Sequence, residues 1–173
     1  MVAVYGNRAF DDTLLELEDA LTQAGFRVVA GVAAVAEHSI LRQFGAGRPD
    51  AADQAQLLAF GEALAQRLRS DLPVPAPKVP GNRPYRDYQG VPFKPATGAG
   101  CNGCGVCVQV CPVGAISGGP SPVTDTGRCI SCMRCVAVCP VKARTLNPLL
   151  LATAAVGMKK VCSSRKENFL YLS

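Results

Sequence analysis

Cys101-Asn102-Gly103-Cys104-Gly105-Val106-Cys107-Val108-Gln109-Val110-Cys111-Pro112-Val113 is written a second time 28 residues later, as Cys129-Ile130-Ser131-Cys132-Met133-Arg134-Cys135-Val136-Ala137-Val138-Cys139-Pro140-Val141. Three cysteines at steps of three, separated by small residues such as Gly103 and Gly105, let a loop wrap three corners of an inorganic cube and turn free backbone amides toward its sulfurs. The fourth cysteine follows about one helical turn after the third, and the proline behind it forces an extended exit. Each copy is therefore expected to hold one short helix with a thiol at either end. A structural zinc site takes four ligands, usually as two separated pairs, and two triplets each with a fourth cysteine fit that poorly. A disulfide framework needs an oxidising compartment. The chain begins Met1-Val2-Ala3-Val4-Tyr5-Gly6 and soon turns acidic, without a basic leader, so no signal peptide and a reducing, cytoplasmic setting are expected. The pattern points to iron–sulfur chemistry.

The spacing Cys-x2-Cys-x2-Cys-x3-Cys-Pro resembles that of bacterial two-cluster ferredoxins, in which the last cysteine of each run serves the other cluster. The resemblance implies two [4Fe–4S] clusters, one on Cys101, Cys104, Cys107 and Cys139 and the other on Cys129, Cys132, Cys135 and Cys111. The formal charge of +5 counts every cysteine as neutral; eight thiolates and two cores of roughly 2+ each bring it to about +1. Val106, Val108, Val110, Val113, Ile116, Val136, Val138 and Val141 are expected to form an apolar shell that disfavours added negative charge and keeps the potential low. Arg134 stands where the first copy has Val106, and is expected to raise the potential of the site that holds Cys135.

Outward from the repeat, the chain of 173 residues is 49% hydrophobic and 18% charged, which excludes wholesale disorder and suits one domain or two small ones. Its apolar runs fall short of the roughly 20 residues that span a bilayer. Its basic residues are scattered without an aromatic stripe, so neither a membrane nor a nucleic acid is an expected partner. Residues 1–71 read as β-α-β-α. Met1 to Tyr5 resembles a buried parallel strand. Asp11 and Asp12 can cap a helix with Leu14, Leu17, Leu21 and Ala24 on one face and Gly25 as its stop. Phe26 to Val35 reads as a second strand. Arg48-Pro49-Asp50 opens a helix with Leu57, Leu58, Gly61, Leu64, Ala65 and Leu68 on one side. Residues 72–97 are proline-rich and read as a semi-rigid linker, partly pinned by Tyr85, Tyr88 and Phe93. Residues 98–146 hold the repeat. Within 147–173, Pro148 to Val161 reads as a closing helix before a tail ending Phe169-Leu170-Tyr171-Leu172. The fold class is α+β.

Val4-Tyr5-Gly6-Asn7-Arg8-Ala9-Phe10-Asp11-Asp12, Ala36-Glu37-His38-Ser39, Gly47-Arg48-Pro49-Asp50 and Cys162-Ser163-Ser164-Arg165-Lys166-Glu167 narrow the likeness. With the cluster motifs they resemble the bacterial flavodoxin–ferredoxin fusion proteins of anaerobes. The resemblance implies that the first block is the C-terminal half of a flavodoxin-like domain, with Gly6, Asn7 and Arg8 as the remnant of a loop against the flavin. The strand bearing the phosphate-binding loop is missing, so FMN is not expected to bind this chain alone. A two-strand parallel block leaves an open edge, accounted for by a fragmentary gene start, which Met1 inside the strand motif favours, by a second chain supplying the missing half, or by a divergent short protein. The function implied is single-electron transfer at low potential to and from redox partner proteins, with no catalytic acid, base or nucleophile. Alternatives are a subunit of an FMN-dependent reductase, an oxidoreductase, and a cluster-bearing interaction or oxygen-sensing module. His38, the only histidine, and Cys162, the ninth cysteine, are read as structural rather than as ligands.

Overall fold

In a computed structural model, residues 1–70 and 73–172 are described. The expected boundary between 71 and 72 lies outside them. In chain order the elements are β1 (Val2–Tyr5), α1 (Thr13–Gln23), β2 (Gly31–Val35), α2 (Ala51–Arg69), β3 (Ala96–Thr97), α3 (Val106–Gln109), α4 (Arg134–Ala137), β4 (Arg144–Thr145), α5 (Pro148–Cys162) and β5 (Phe169–Tyr171). The mixture is α+β. Two compact units emerge, one from the described residues of Met1–His38, Arg42–Tyr88 and Lys159–Ser173, the other from Ser39–Leu41 and Gln89–Met158.

In the first unit β1 and β2 pair in parallel, Val2 with Val32 through Tyr5 with Val35. Alternation along β1 buries Ala3 and Tyr5 and leaves Val2 and Val4 exposed. The strand is therefore buried on one face, not on both as its apolar run suggests. The second strand is shorter than the expected Phe26–Val35, because β1 offers partners for only four residues and Phe26 lies exposed. The open edge of β2 is filled by the chain itself. Phe169, expected in a tail, and its two successors form β5, antiparallel to β2 with Gly31 opposite Tyr171 and Ala33 opposite Phe169. Ala3, Tyr5, Leu14, Ala33 and Val35 make the core, flanked by Met1, Phe10, Val79 and Tyr171.

Helix α1 stops as expected, with Gly25 in the left-handed region at φ 86° just past its end. Its start differs. The Asp12 side chain makes no cap bond; it accepts instead from the backbone N–H groups of Asn82 (2.8 Å) and Arg86 (2.7 Å). Asp19 holds Arg83 (Nη2–Oδ1 2.6 Å) and Tyr85. The stretch 73–88 is thus a strap on the first unit, with Val74 and Pro77 buried. Of the expected pins, Tyr85 is tied down, Phe93 is buried in the second unit and Tyr88 is exposed. Helix α2 opens with a capping box between Asp50 and Asp53. Its expected apolar face is only half-covered, since Leu58 and Leu68 are exposed.

Two of the motifs behind the family likeness meet in one polar lock. Arg48 and Asp53 are both buried and pair through Nε–Oδ2 at 2.7 Å and a second contact from Nη2 to Oδ1. Arg165 adds Nη1 to Asp50 Oδ2 at 2.7 Å, and Asn168 donates to Asp53 at 3.0 Å while accepting from the Val35 N–H at 2.7 Å. The Arg48 guanidinium holds the Asp53 carboxyl far below the usual carboxylate range, against the upward push of burial.

Candidate metal centre

The second unit carries the cysteine repeat, and its backbone repeats with it. Helices α3 and α4 begin 28 residues apart, each one turn long. Each is entered through a left-handed residue, Gly105 at φ 73° in one copy and Met133 at φ 60° in the other. Gly103 (φ 71°) corresponds to Ser131 (φ 56°), and Gly114 (φ 58°) to Lys142 (φ 52°). Glycine takes these turns freely; serine, methionine and lysine do so against steric preference, at about 1–3 kcal/mol each.

The turns aim backbone N–H groups at sulfur. Gly103 N–H points to Cys101 Sγ and Ser131 N–H to Cys129 Sγ, both at 3.5 Å. Ala115 N–H reaches Cys111 Sγ and Ala143 N–H reaches Cys139 Sγ, both at 3.2 Å. Burial pushes the Cys139 thiol up, but the backbone N–H groups of Arg144, Ala143, Val141 and Lys142 outweigh it and hold the group below its ordinary value. Such donors favour the thiolate, the form that binds metal. Exposure also follows the repeat: Cys107 and Cys135 are buried, Cys104 and Cys132 exposed, the other four between.

Among the described residues no three His, Cys, Asp or Glu side chains stand close enough to hold a single metal ion. Cys111, Cys129, Cys132 and Cys135 instead line one cavity, walled by Pro95, Ile116 and Met133 among others. Four thiols around one apolar cavity, two of them already accepting backbone hydrogen bonds, fit the donor set of an iron–sulfur cluster. Residues 100–143 match the family of 4Fe-4S dicluster domains. This part of the chain is a ferredoxin-type iron–sulfur domain, and its role is electron transfer. Among curated proteins none matches the chain. Among the described residues no helix is long and apolar enough to cross a membrane.

Within the ferredoxin-type domain the expected shell is corrected. Cys107, Ile116 and Cys135 form the buried centre, with Val108, Cys111 and Val136 against it. Val138 and Val141 are exposed, since both lie past the single turn of α4, from which Cys135 and Val136 reach the centre. Arg134 lines the cavity from an exposed position. Two cations escaped the reading of the sequence. Lys94 donates to the Cys129 carbonyl at 2.6 Å and to Ser131 Oγ at 3.0 Å. Arg144 is only 2% exposed, and the signal for it was present, since it breaks the repeat at the position of Ile116. Burial pushes the Cys135 thiol up, and the Arg144 guanidinium pulls against it.

Gly6, Asn7 and Arg8, expected to lie against a flavin, sit in the first unit and make contacts within it. The Asn7 amide donates to the carbonyls of Cys162 (2.7 Å) and Ser164 (2.9 Å), and its oxygen accepts from Lys166 N–H at 3.1 Å. The side chain is buried and engaged on both sides of its amide. Gly6 permits close passage of the chain, since a Cβ there would stand 2.8 Å from His38 Cα. Arg8 is exposed and pairs with Asp11 at 3.6 Å. Cys162 is fully buried, and burial pushes its thiol up. His38 is half-buried and shifted down, by burial first and by Arg8 in addition.

Proposed function

We propose that the chain is a two-cluster electron carrier in which the two cysteine runs exchange their last thiolate. One [4Fe–4S] cluster is held by Cys129, Cys132, Cys135 and Cys111, the other by Cys101, Cys104, Cys107 and Cys139. The observation that carries the proposal is the presence of Cys111, from the first run, in the wall of the cavity lined by the second triplet. For Cys139 the support is the repeat itself: it receives the same 3.2 Å backbone hydrogen bond as Cys111, on the same turn. When bound, each cluster supplies a one-electron couple of low potential. The residues of the chain then hold it rigidly, exclude water with Ile116 and Met133, and stabilise the thiolates through the four N–H donors, so that little reorganises as charge arrives. The partners are redox proteins that deliver and accept single electrons.

The β1-α1-β2 unit with its parallel pair supports reading the first block as flavodoxin-like in part. The engagement of Asn7 supports a structural remnant without its own FMN. Anaerobic purification with iron, sulfide, zinc and flavin measured together tests the whole reading. About eight iron and eight sulfide per chain without flavin is the expected result. Zinc without sulfide overturns it, and one flavin per chain favours the reductase alternative.

A further inference from the structure

We infer that Arg144 makes the two cluster sites unequal, its fixed positive charge drawing the shared electron to the site that contains Cys135. The inference rests on the two-cluster reading above. Between the copies the left-handed turns, the one-turn helices, the N–H donors and the exposure of the thiols all repeat. The charge does not. Ile116, 6% exposed, fills in the first copy the place that Arg144, 2% exposed, takes in the second.

A guanidinium stays protonated in a protein, so this charge is permanent. Its hydrogen-bond partners are Thr97 Oγ1 (2.6 Å), the carbonyls of Pro95 (2.9 Å) and Pro122 (3.3 Å), and Thr124 Oγ1. All are neutral. Among the described residues no carboxylate forms an ion pair with Arg144. Its Nε is buried with no hydrogen-bond partner at all. A buried charge without a counter-charge is strongly unfavourable, so an anion belongs beside it. Two of the Arg144 partners, Pro95 and Thr124, line the same cavity as Cys111, Cys129, Cys132 and Cys135; four thiolates around an iron–sulfur core supply that anion.

Reduction adds one negative charge to such a site, and a fixed cation in a low-dielectric surrounding stabilises the reduced form more than the oxidised one. One electron then passes from the site of Cys101, Cys104, Cys107 and Cys139, which is oxidised, to the site of Cys135, which is reduced, with no proton moved. Lys94, anchored on the Cys129 carbonyl, acts in the same direction. Arg134, singled out in the sequence, is exposed and therefore screened by water.

The test is an anaerobic redox titration of the full holoprotein followed by electron paramagnetic resonance, with iron and sulfide measured on every sample. Cys132→Ala identifies which midpoint belongs to the site of Cys135. In Arg144→Ile, which copies the first repeat, the reduced-to-oxidised ratio of that site at a fixed potential is expected to fall about tenfold, or 59 mV for one electron. The other midpoint should hold, and Arg144→Lys should restore most of the difference. Arg144→Gln, which keeps donors without charge, is read in the same way if the isoleucine variant does not assemble. Full iron with unchanged midpoints in the neutral variants overturns the inference, as does a lysine variant as low as the isoleucine one. Iron loading lost in both neutral variants marks Arg144 as a strut for assembly and also overturns it. Wild-type protein with about eight iron and one shared midpoint also overturns the inference, whereas about four iron with a single signal overturns the two-cluster reading instead.

Discussion

Asp53 is the residue on which the first unit's polar lock turns. It is 1% exposed and accepts from Arg48, Arg165, Asn168 and the backbone of Asp50. Replacing it with asparagine leaves Arg48 buried beside a neutral group, and breaking a buried pair in this way destabilises by about 3–5 kcal/mol. Urea unfolding followed on first-unit resonances by NMR checks it. The sign with pH follows from the depressed carboxyl. Its contribution is complete above the ordinary carboxylate value of about 4 and drains away as the pH falls below that toward the much lower folded value. Asp53→Asn should therefore flatten the acid limb of the wild-type curve; an equally steep limb in the variant counts against the lock. The arginine–aspartate spacing of this pair reads like any helix start. Its burial does not show in the sequence, because Lys166 and Asn168 complete the surroundings from more than a hundred residues away. Likewise Gly103, Gly105 and Gly114 signal sharp turns, while Ser131, Met133 and Lys142 conceal theirs, since local preference runs the other way.

At the scale of elements, hydrophobic period located α1 and α2 to within a few residues, because periodicity is a local property. What each element touches was less visible. Asp12 satisfies every rule for a helix cap, yet its carboxylate is turned to the strap formed by 73–88, where two backbone N–H groups outweigh the single cap bond. Asp12→Ala should release that strap. Limited proteolysis between 78 and 88 is expected to accelerate several-fold, because the backbone N–H groups of Asn82 and Arg86 lose a charged acceptor. Iron content should not change, and cleavage at the wild-type rate would show that Asp19, through Arg83 and Tyr85, holds the strap without it. The same limitation applies to β5. Three apolar residues near the C-terminus have no periodicity worth reading, and only the vacant edge of β2 makes them a strand.

For the whole molecule, the chain leaves the first unit after Tyr88, builds the second, and returns at Lys159 to complete the first with Asn168 and β5. The two units hold themselves together differently. The first has an apolar core and a buried ion pair; the second is rich in glycine and proline around a buried centre of Cys107, Ile116 and Cys135. Removing iron anaerobically with a chelator should therefore unfold the second unit and leave the first intact, because metal binding and folding are one equilibrium in so small a core. Circular dichroism and NMR of the apo-protein check this; a second unit with native dispersion and no iron would refute it. The sequence alone determined the chemistry, since the thiol spacing within each run is covalent and survives any fold. It also determined the helices, which need only neighbours along the chain. Tertiary structure decided the rest: that Cys111 faces the other triplet's cavity, that Arg144 is buried without a counter-ion, and that the last strand closes the first sheet. Each of these depends on groups brought together across the chain, and no local pattern encodes such a meeting.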